Sequence, residues 1–263
     1  MQTNIQLDEL TTSQVEKILT SGEKKYGALL PVGCTEQHGP DVPIGCDTLI
    51  AKGVSSHLAE NLLENDEYGA LVMPALAYAP TPESKSVCGS VSVSFDWMGR
   101  GIKEILTAAC ESPWDFFVII NGHAHNNGRI IEASMSGSAG EFGRKIPIVC
   151  INLYEYGFLG KEIGLNPGQH AGEFEMSLYQ YYAKDYQLKD TLSDQEWLPP
   201  RPRPPKIFGL DILPRSNQGV ISDKAPSSSR AIELSKKLGR LVDEKVLQVV
   251  ASNLDIYFQE WNG

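Results

Sequence analysis

A three-layer α/β/α fold with a mostly parallel sheet is what this sequence predicts, and two observations carry the prediction. Short apolar runs (YGALLPV, ALVMPAL, FFVIING and IPIVCINL) alternate with stretches of helical periodicity over the first two thirds of the chain. Each run is bounded by turn-forming residues, as buried strands are, and strands alternating with helices imply parallel order with helices on both faces.

The elements follow in order. Ser13 and Glu16 read as a capping box ahead of a short amphipathic helix, and the strand Tyr26 to Val32 comes next. From Asp47 to about Asn65, Leu49, Ile50, Val54, Leu58 and Leu62 recur at helical spacing, and residues 70–76 form a second strand. A helix over about 95–111, the strand ending at Gly122, a helix from about Asn127 and the strand ending at Leu153 complete the alternation. From Trp197 the composition shifts to WLPPRPRPPK, and the glycine- and proline-punctuated stretch to about Pro226 reads as a rigid surface loop edging the site. A last helix, about Ser228 to Asn253, with Ile232, Leu234, Leu238, Leu241, Val242, Val246 and Val249 apolar, is expected to cover one face of the sheet. The whole of residues 1–263 is read as one domain.

Composition narrows the function. A formal net charge of −10 and no Lys/Arg run argue against nucleic acid as a partner. No apolar stretch reaches the roughly 18–20 residues that span a bilayer, and the amino terminus has neither a basic start nor an apolar segment, so a cytoplasmic protein with no membrane partner is expected. The five cysteines show no CxxC spacing; they suggest neither disulfides nor a thiolate zinc site, and most are expected to be small core residues.

In a parallel sheet with helices on both faces, ligands bind beyond the carboxyl ends of the strands. Three polar segments follow strands. GCTEQHGPDVPIGCD carries Glu36, His38, Asp41 and Asp47; NGHAHNNG carries His123 and His125, two of the chain's five histidines; and GQHAGEFEMS carries His170, Glu173 and Glu175. Asp47 could instead cap the following helix, and Glu173 and Glu175 could only complement a helix dipole. All three groups would then have to be incidental at the places where the fold puts ligands. Oxygen and imidazole donors suit zinc, manganese or iron, and more than four of them exceed the need of one tetrahedral ion, whereas two ions sharing a carboxylate would use them all.

The stretch LPVGCTEQHGPDVPIGCDTLIA resembles the signature of the creatininase (creatinine amidohydrolase) family, and NGHAHNNG and HAGEFEMS resemble its other two motifs in the same order, over Leu30 to Ser177. The resemblance implies an α/β/α fold, a homo-oligomer with a hexamer as the expected size, and two divalent metal ions per chain. It also implies hydrolysis of a C–N bond of a small cyclic or linear amide by a hydroxide held between the ions. By motif position, Glu36 and His123 are implied as ligands of one metal and His38 of the other, with Asp47 as the bridge. His170 is implied as the catalytic histidine that protonates the leaving nitrogen, with Glu173 or Glu175 orienting it.

The chain departs from the family pattern at three positions. Asp41 stands where many members have a histidine, Met176 stands where Ser or Thr is common, and His125 stands where creatininase has a metal-binding glutamate and many relatives have glycine. Either His125 or Glu175 is therefore left to complete the second metal site; Glu175 is favoured, because relatives with no side chain at the His125 position still have the later acid. A peptide-processing hydrolase, or a metal-stabilised binding protein without turnover, is the alternative function.

Overall fold

A computed structural model describes residues 4–39, 42–138, 141, 143–166, 170–183, 197–198, 220–221 and 228–260. Its elements are α1 (Thr12–Leu19), β1 (Lys25–Val32), α2 (Cys46–Glu64), β2 (Tyr68–Val72), α3 (Phe95–Ala109), β3 (Phe116–Asn121), α4 (Asn127–Ser138), β4 (Ile148–Asn152), α5 (Gly157–Glu162), α6 (Glu173–Tyr182), β5 (Trp197–Leu198), β6 (Val220–Ile221) and α7 (Ser228–Glu260). The first four strands form one parallel sheet in the order β2-β1-β3-β4. β5 and β6 pair separately, and the rest of the expected Pro-rich loop lies outside the described residues.

Alternating side chains of the central strands feed two cores. Leu29, Phe116, Val118 and Ile120 face one way, against Ile50, Val54, Leu58 and Leu62 of α2. Ala28, Leu30, Val32, Phe117 and Ile119 face the other, against Met98, Ile102 and Leu106 of α3 and Ile130 of α4. Both faces of β1, β2 and β3 are largely buried, which is why these strands read as unbroken apolar runs.

Three local expectations are corrected. The capping box lies at Thr11 and Gln14, whose side chain and backbone groups bond reciprocally. The helix starts at Thr12, so Ser13 falls inside its first turn, and glutamine serves at the third position as glutamate would. Leu49 is 37% exposed, because the face of α2 that turns inward is formed by Ile50, Val54, Leu58 and Leu62 with Ala51, Ser55 and Ala59 beside them. α7 continues beyond Asn253 to Glu260; it packs on α6 and α2 and reaches the sheet at β4 and, through Asp255 and Phe258, at Tyr68.

Chain order reverses at β1: β2 lies on one side of it and β3 on the other. Val32 is in register with Asn121, and Asn121 with Asn152, so the loops after β1, β3 and β4 leave the sheet at one level. This places a crevice at the switch point of the sheet, where open α/β folds bind ligands.

Candidate metal centre

Two glycines let α2 start directly over that crevice. A Cβ at Gly33, one residue past β1, would stand 2.4 Å from the Thr48 amide nitrogen, and one at Gly122, just past β3, would stand 2.4 Å from the Asp47 carbonyl oxygen. With hydrogen there instead, the first turn of the helix presses onto both strand ends, and Asp47 is fully buried between them. The cap alternative for Asp47 does not hold: the cap position is Gly45, and no side chain caps the helix.

The loop after β1 is pinned along its length. The Glu36 amide bonds the Ile44 carbonyl at 2.8 Å, the Gln37 amide bonds Ser90 Oγ at 3.0 Å, and Thr48 Oγ1 donates to the Cys34 carbonyl at 3.0 Å. Its functional side chains therefore have fixed origins.

The two carboxylate oxygens of Asp47 serve different neighbours. Oδ1 lies 3.0 Å from His38 Nε2, and Oδ2 lies 2.9 Å from His123 Nδ1. Glu36 joins the His123 side, with Oε2 3.6 Å from His123 Nδ1. Glu175 and His170 join the His38 side: Glu175 Oε2 is 4.0 Å from His38 Nε2, and the His38 and His170 rings are 4.5 Å apart. Donor atoms of Cys34, Glu36, Asp47 and His123 lie within 4.8 Å of one another, as do those of His38, Cys46 and Asp47, and those of His38, His170 and Glu175.

Each histidine is oriented by the backbone. His38 Nδ1–H donates to the Glu36 carbonyl at 3.0 Å, and His123 Nε2–H donates to the Pro80 carbonyl at 3.0 Å, which leaves the other nitrogen of each ring aimed at Asp47. Such outer bonds fix the tautomer of a metal-binding imidazole. His170 Nε2–H donates to the Gln37 carbonyl at 2.7 Å.

Electrostatics point to cations. Burial disfavours the charged form of His38, yet the Asp47 carboxylate beside it, with Glu175 and Glu36, pushes its pKa up to about 10. Burial likewise opposes ionisation of Asp47 and Glu36, but the surrounding histidines outweigh it and hold both carboxyls below their usual range. Protons on His38 and His123 balance the buried carboxylates of Asp47 and Glu36, and the Glu175 side chain is buried beside them. Divalent ions would replace those protons, and the oxygen and imidazole donor set fits zinc, manganese or iron.

The remaining expected residues have distinct surroundings. His125 Nε2 pairs with Glu83 at 3.2 Å, its Nδ1 lies 3.3 Å from His123 Nε2, and it enters none of the donor clusters among the described residues. Glu173 Oε2 accepts from the Asn166 amide at 2.8 Å, toward the loop that precedes α6. Asp41 lies outside the described residues.

Sequence reading missed several contributors. Ser84 donates to Glu36 Oε1 at 2.5 Å, and with Pro80 and Glu83 it comes from the loop after β2, which carries no ligand-like motif. Tyr154, just past β4, donates to Glu175 Oε1, and the Ala171 amide donates to Oε2 of the same carboxylate. Ala171 has φ +51°, the left-handed conformation that non-glycine residues seldom adopt, and it turns that amide toward Glu175. Cys34, expected as core filler, is buried with its thiol donating to Asp47 Oδ2 at 3.1 Å. Burial, together with Asp47 and Glu36, raises that thiol well above its usual range.

Comparison with known proteins adds to this geometry. The family described as "Creatininase: Creatinine amidohydrolase" matches residues 8–248. Creatinine amidohydrolase of Pseudomonas putida is 28% identical over an alignment that covers 95% of this chain and 96% of that protein. Mycofactocin precursor peptide peptidase of Mycobacterium ulcerans (strain Agy99) is 27% identical over 231 residues, 84% of this chain and 83% of that protein. The solved structure "Creatininase Mn" superposes with a TM-score of 0.73 at 21% identity, covering 97% of this chain and 99% of the other, a likeness of fold.

Proposed function

Because the chain belongs to the creatininase family, we propose that it is a metal-dependent hydrolase that cleaves the C–N bond of a small cyclic or linear amide at a two-ion centre built on Asp47. The observation that carries this reading is the division of Asp47, with Oδ1 facing His38 and Oδ2 facing His123. Glu36, His123 and Asp47 would hold one ion, and His38, Asp47 and Glu175 the other. Glu175 is preferred to His125 because it shares a donor cluster with His38, whereas His125 is paired with Glu83.

When bound, the ions supply Lewis acidity toward the amide carbonyl and a water ionised at neutral pH. The chain's own groups do the rest. Tyr154 and the Ala171 amide hold both oxygens of Glu175, so this carboxylate keeps its place through the reaction. His170, its Nε2–H held by the Gln37 carbonyl, stands beside His38 and would take up at Nδ1 the proton that the attacking water loses and pass it to the leaving nitrogen. Burial of Glu36, His38, Asp47 and His123 keeps bulk water from competing for their lone pairs.

A second reading, cleavage of a peptide, is favoured by the similarity to mycofactocin precursor peptide peptidase. Both readings are tested together by offering cyclic amides, linear amides, formamides and short peptides to protein reconstituted with manganese, iron or zinc, with products identified by mass spectrometry. Turnover of the small amides is expected. Cleavage of peptides alone would select the second reading, and no turnover with metal bound would overturn both.

A further inference from the structure

The first ion position has more donors than the family reading gives it. Cys34 Sγ lies 3.1 Å from Asp47 Oδ2 and 3.8 Å from Glu36 Oε2, while His123 Nδ1 lies 2.9 Å and 3.6 Å from the same two oxygens. Ligands of one tetrahedral zinc, at bond lengths of about 2.0–2.3 Å, stand roughly 3.4 Å apart, so these four separations bracket the edges of such a tetrahedron. The sulfur is fully buried, and its backbone is fixed by the Thr48 hydroxyl on the Cys34 carbonyl and by the close approach of α2 to Gly33.

We infer that the Cys34 sulfur, as the thiolate left when metal binding displaces the proton it donates to Asp47, is the fourth ligand of the ion held by Glu36, Asp47 and His123. The inference rests on the two-ion reading above and makes the centre asymmetric. The first position is closed by four protein donors and has a soft one among them, which selects zinc over manganese. The second, around His38 and Glu175, has only oxygen and nitrogen donors and keeps room for substrate. Hydrolysis then takes place on the His38 side, with the first ion as the more tightly retained of the two.

Cobalt(II) tests this without reference to activity, because a sulfur ligand gives it an intense near-ultraviolet charge-transfer absorption. Full-length protein stripped of metal is titrated with cobalt(II). The band is expected to grow with the first equivalent and stop there, and to be absent from Cys34→Ser while that variant still binds cobalt. The preference for zinc over manganese at the first position should fall by about tenfold or more in Cys34→Ser. Cobalt bound to the natural chain without the band would overturn the inference and leave the two-ion reading standing; this spectrum decides even if the variant fails to fold. A band that survives Cys34→Ser and vanishes in Cys46→Ser would overturn it too, by moving the sulfur ligand to the His38 side. Failure to bind cobalt at all would reject the metal centre itself, and the inference with it.

Discussion

Two aspartates among the described residues pair with histidine, Asp47 and Asp243, and only Asp47 belongs to the proposed active site. His57 Nδ1 meets Asp243 Oδ2 at 2.9 Å between α2 and α7, much as His38 Nε2 meets Asp47 Oδ1 at 3.0 Å between the β1 loop and α2. The surroundings differ. Asp243 also accepts from Tyr182 at 2.7 Å and from Tyr181 at 3.2 Å, so the chain's own protons satisfy it. Asp47 lies beside two further buried acidic side chains, Glu36 and Glu175, and among the described residues the counter-charges that act on it are protons on His38 and His123. A surplus of buried acceptors, more than the pair itself, is what marks a place for cations.

Removing each aspartate is the strongest way to break the comparison. Asp47→Ala should lose both ions and all hydrolysis, read by elemental analysis and by the amide panel. Loss of a helix-cap interaction alone would cost only about 0.5–2 kcal/mol and leave metal content intact.

His170→Ala should keep its ions and substrate affinity but lose on the order of 10² to 10⁴ in kcat, the size of a general acid–base contribution. An equal loss of metal would make His170 a ligand, which its place beside His38 and Glu175 also permits.

Glu175→Ala should lose one ion of two, whereas His125→Ala should keep both. The reverse result would exchange the two residues and place the site nearer to creatininase.

The smallest effect belongs to the other pair. Asp243→Ala should leave metal content and kcat unchanged and lower stability by about 1–3 kcal/mol in denaturant unfolding, through the bonds that His57, Tyr181 and Tyr182 lose to Asp243.

pH sharpens the contrast further. His38 in the metal-free fold is raised to about 10, above its ordinary value of 6.5. It therefore stabilises that fold fully below about 6.5 and loses the contribution as pH rises toward 10. Asp47 is lowered, so its contribution is present above its ordinary value of 3.8 and disappears only as pH falls below that. Metal uptake at pH 7 must displace the His38 proton, so calorimetry in buffers of different ionisation enthalpy should show proton release, and affinity should climb between pH 6.5 and 10.

The strand-end loops were legible in the sequence because each sets a dense group of ligand residue types directly after an apolar run: Glu36 and His38 after β1, His123 after β3. The α/β class was legible for the same reason, since four apolar runs, three of them largely buried, stand out from amphipathic helices. What sequence could not reveal depends on tertiary approach. The Pro80 carbonyl and Ser84 reach the centre only because the loop after β2 folds over it, and no spacing in the chain announces that. Tyr154 meets Glu175 across 21 positions, and Cys34 looks like any small apolar residue until Asp47 is seen beside it. Leu49 failed the other way: it fits the helical period but lies at the edge of the buried stripe.

The central claim is that one carboxylate, Asp47, holds two ions. Its most direct test is the metal content of the natural protein, reconstituted with excess zinc, desalted and measured by elemental analysis against protein concentration. Two ions per chain are predicted, and a ratio of one, or of none, would contradict the account.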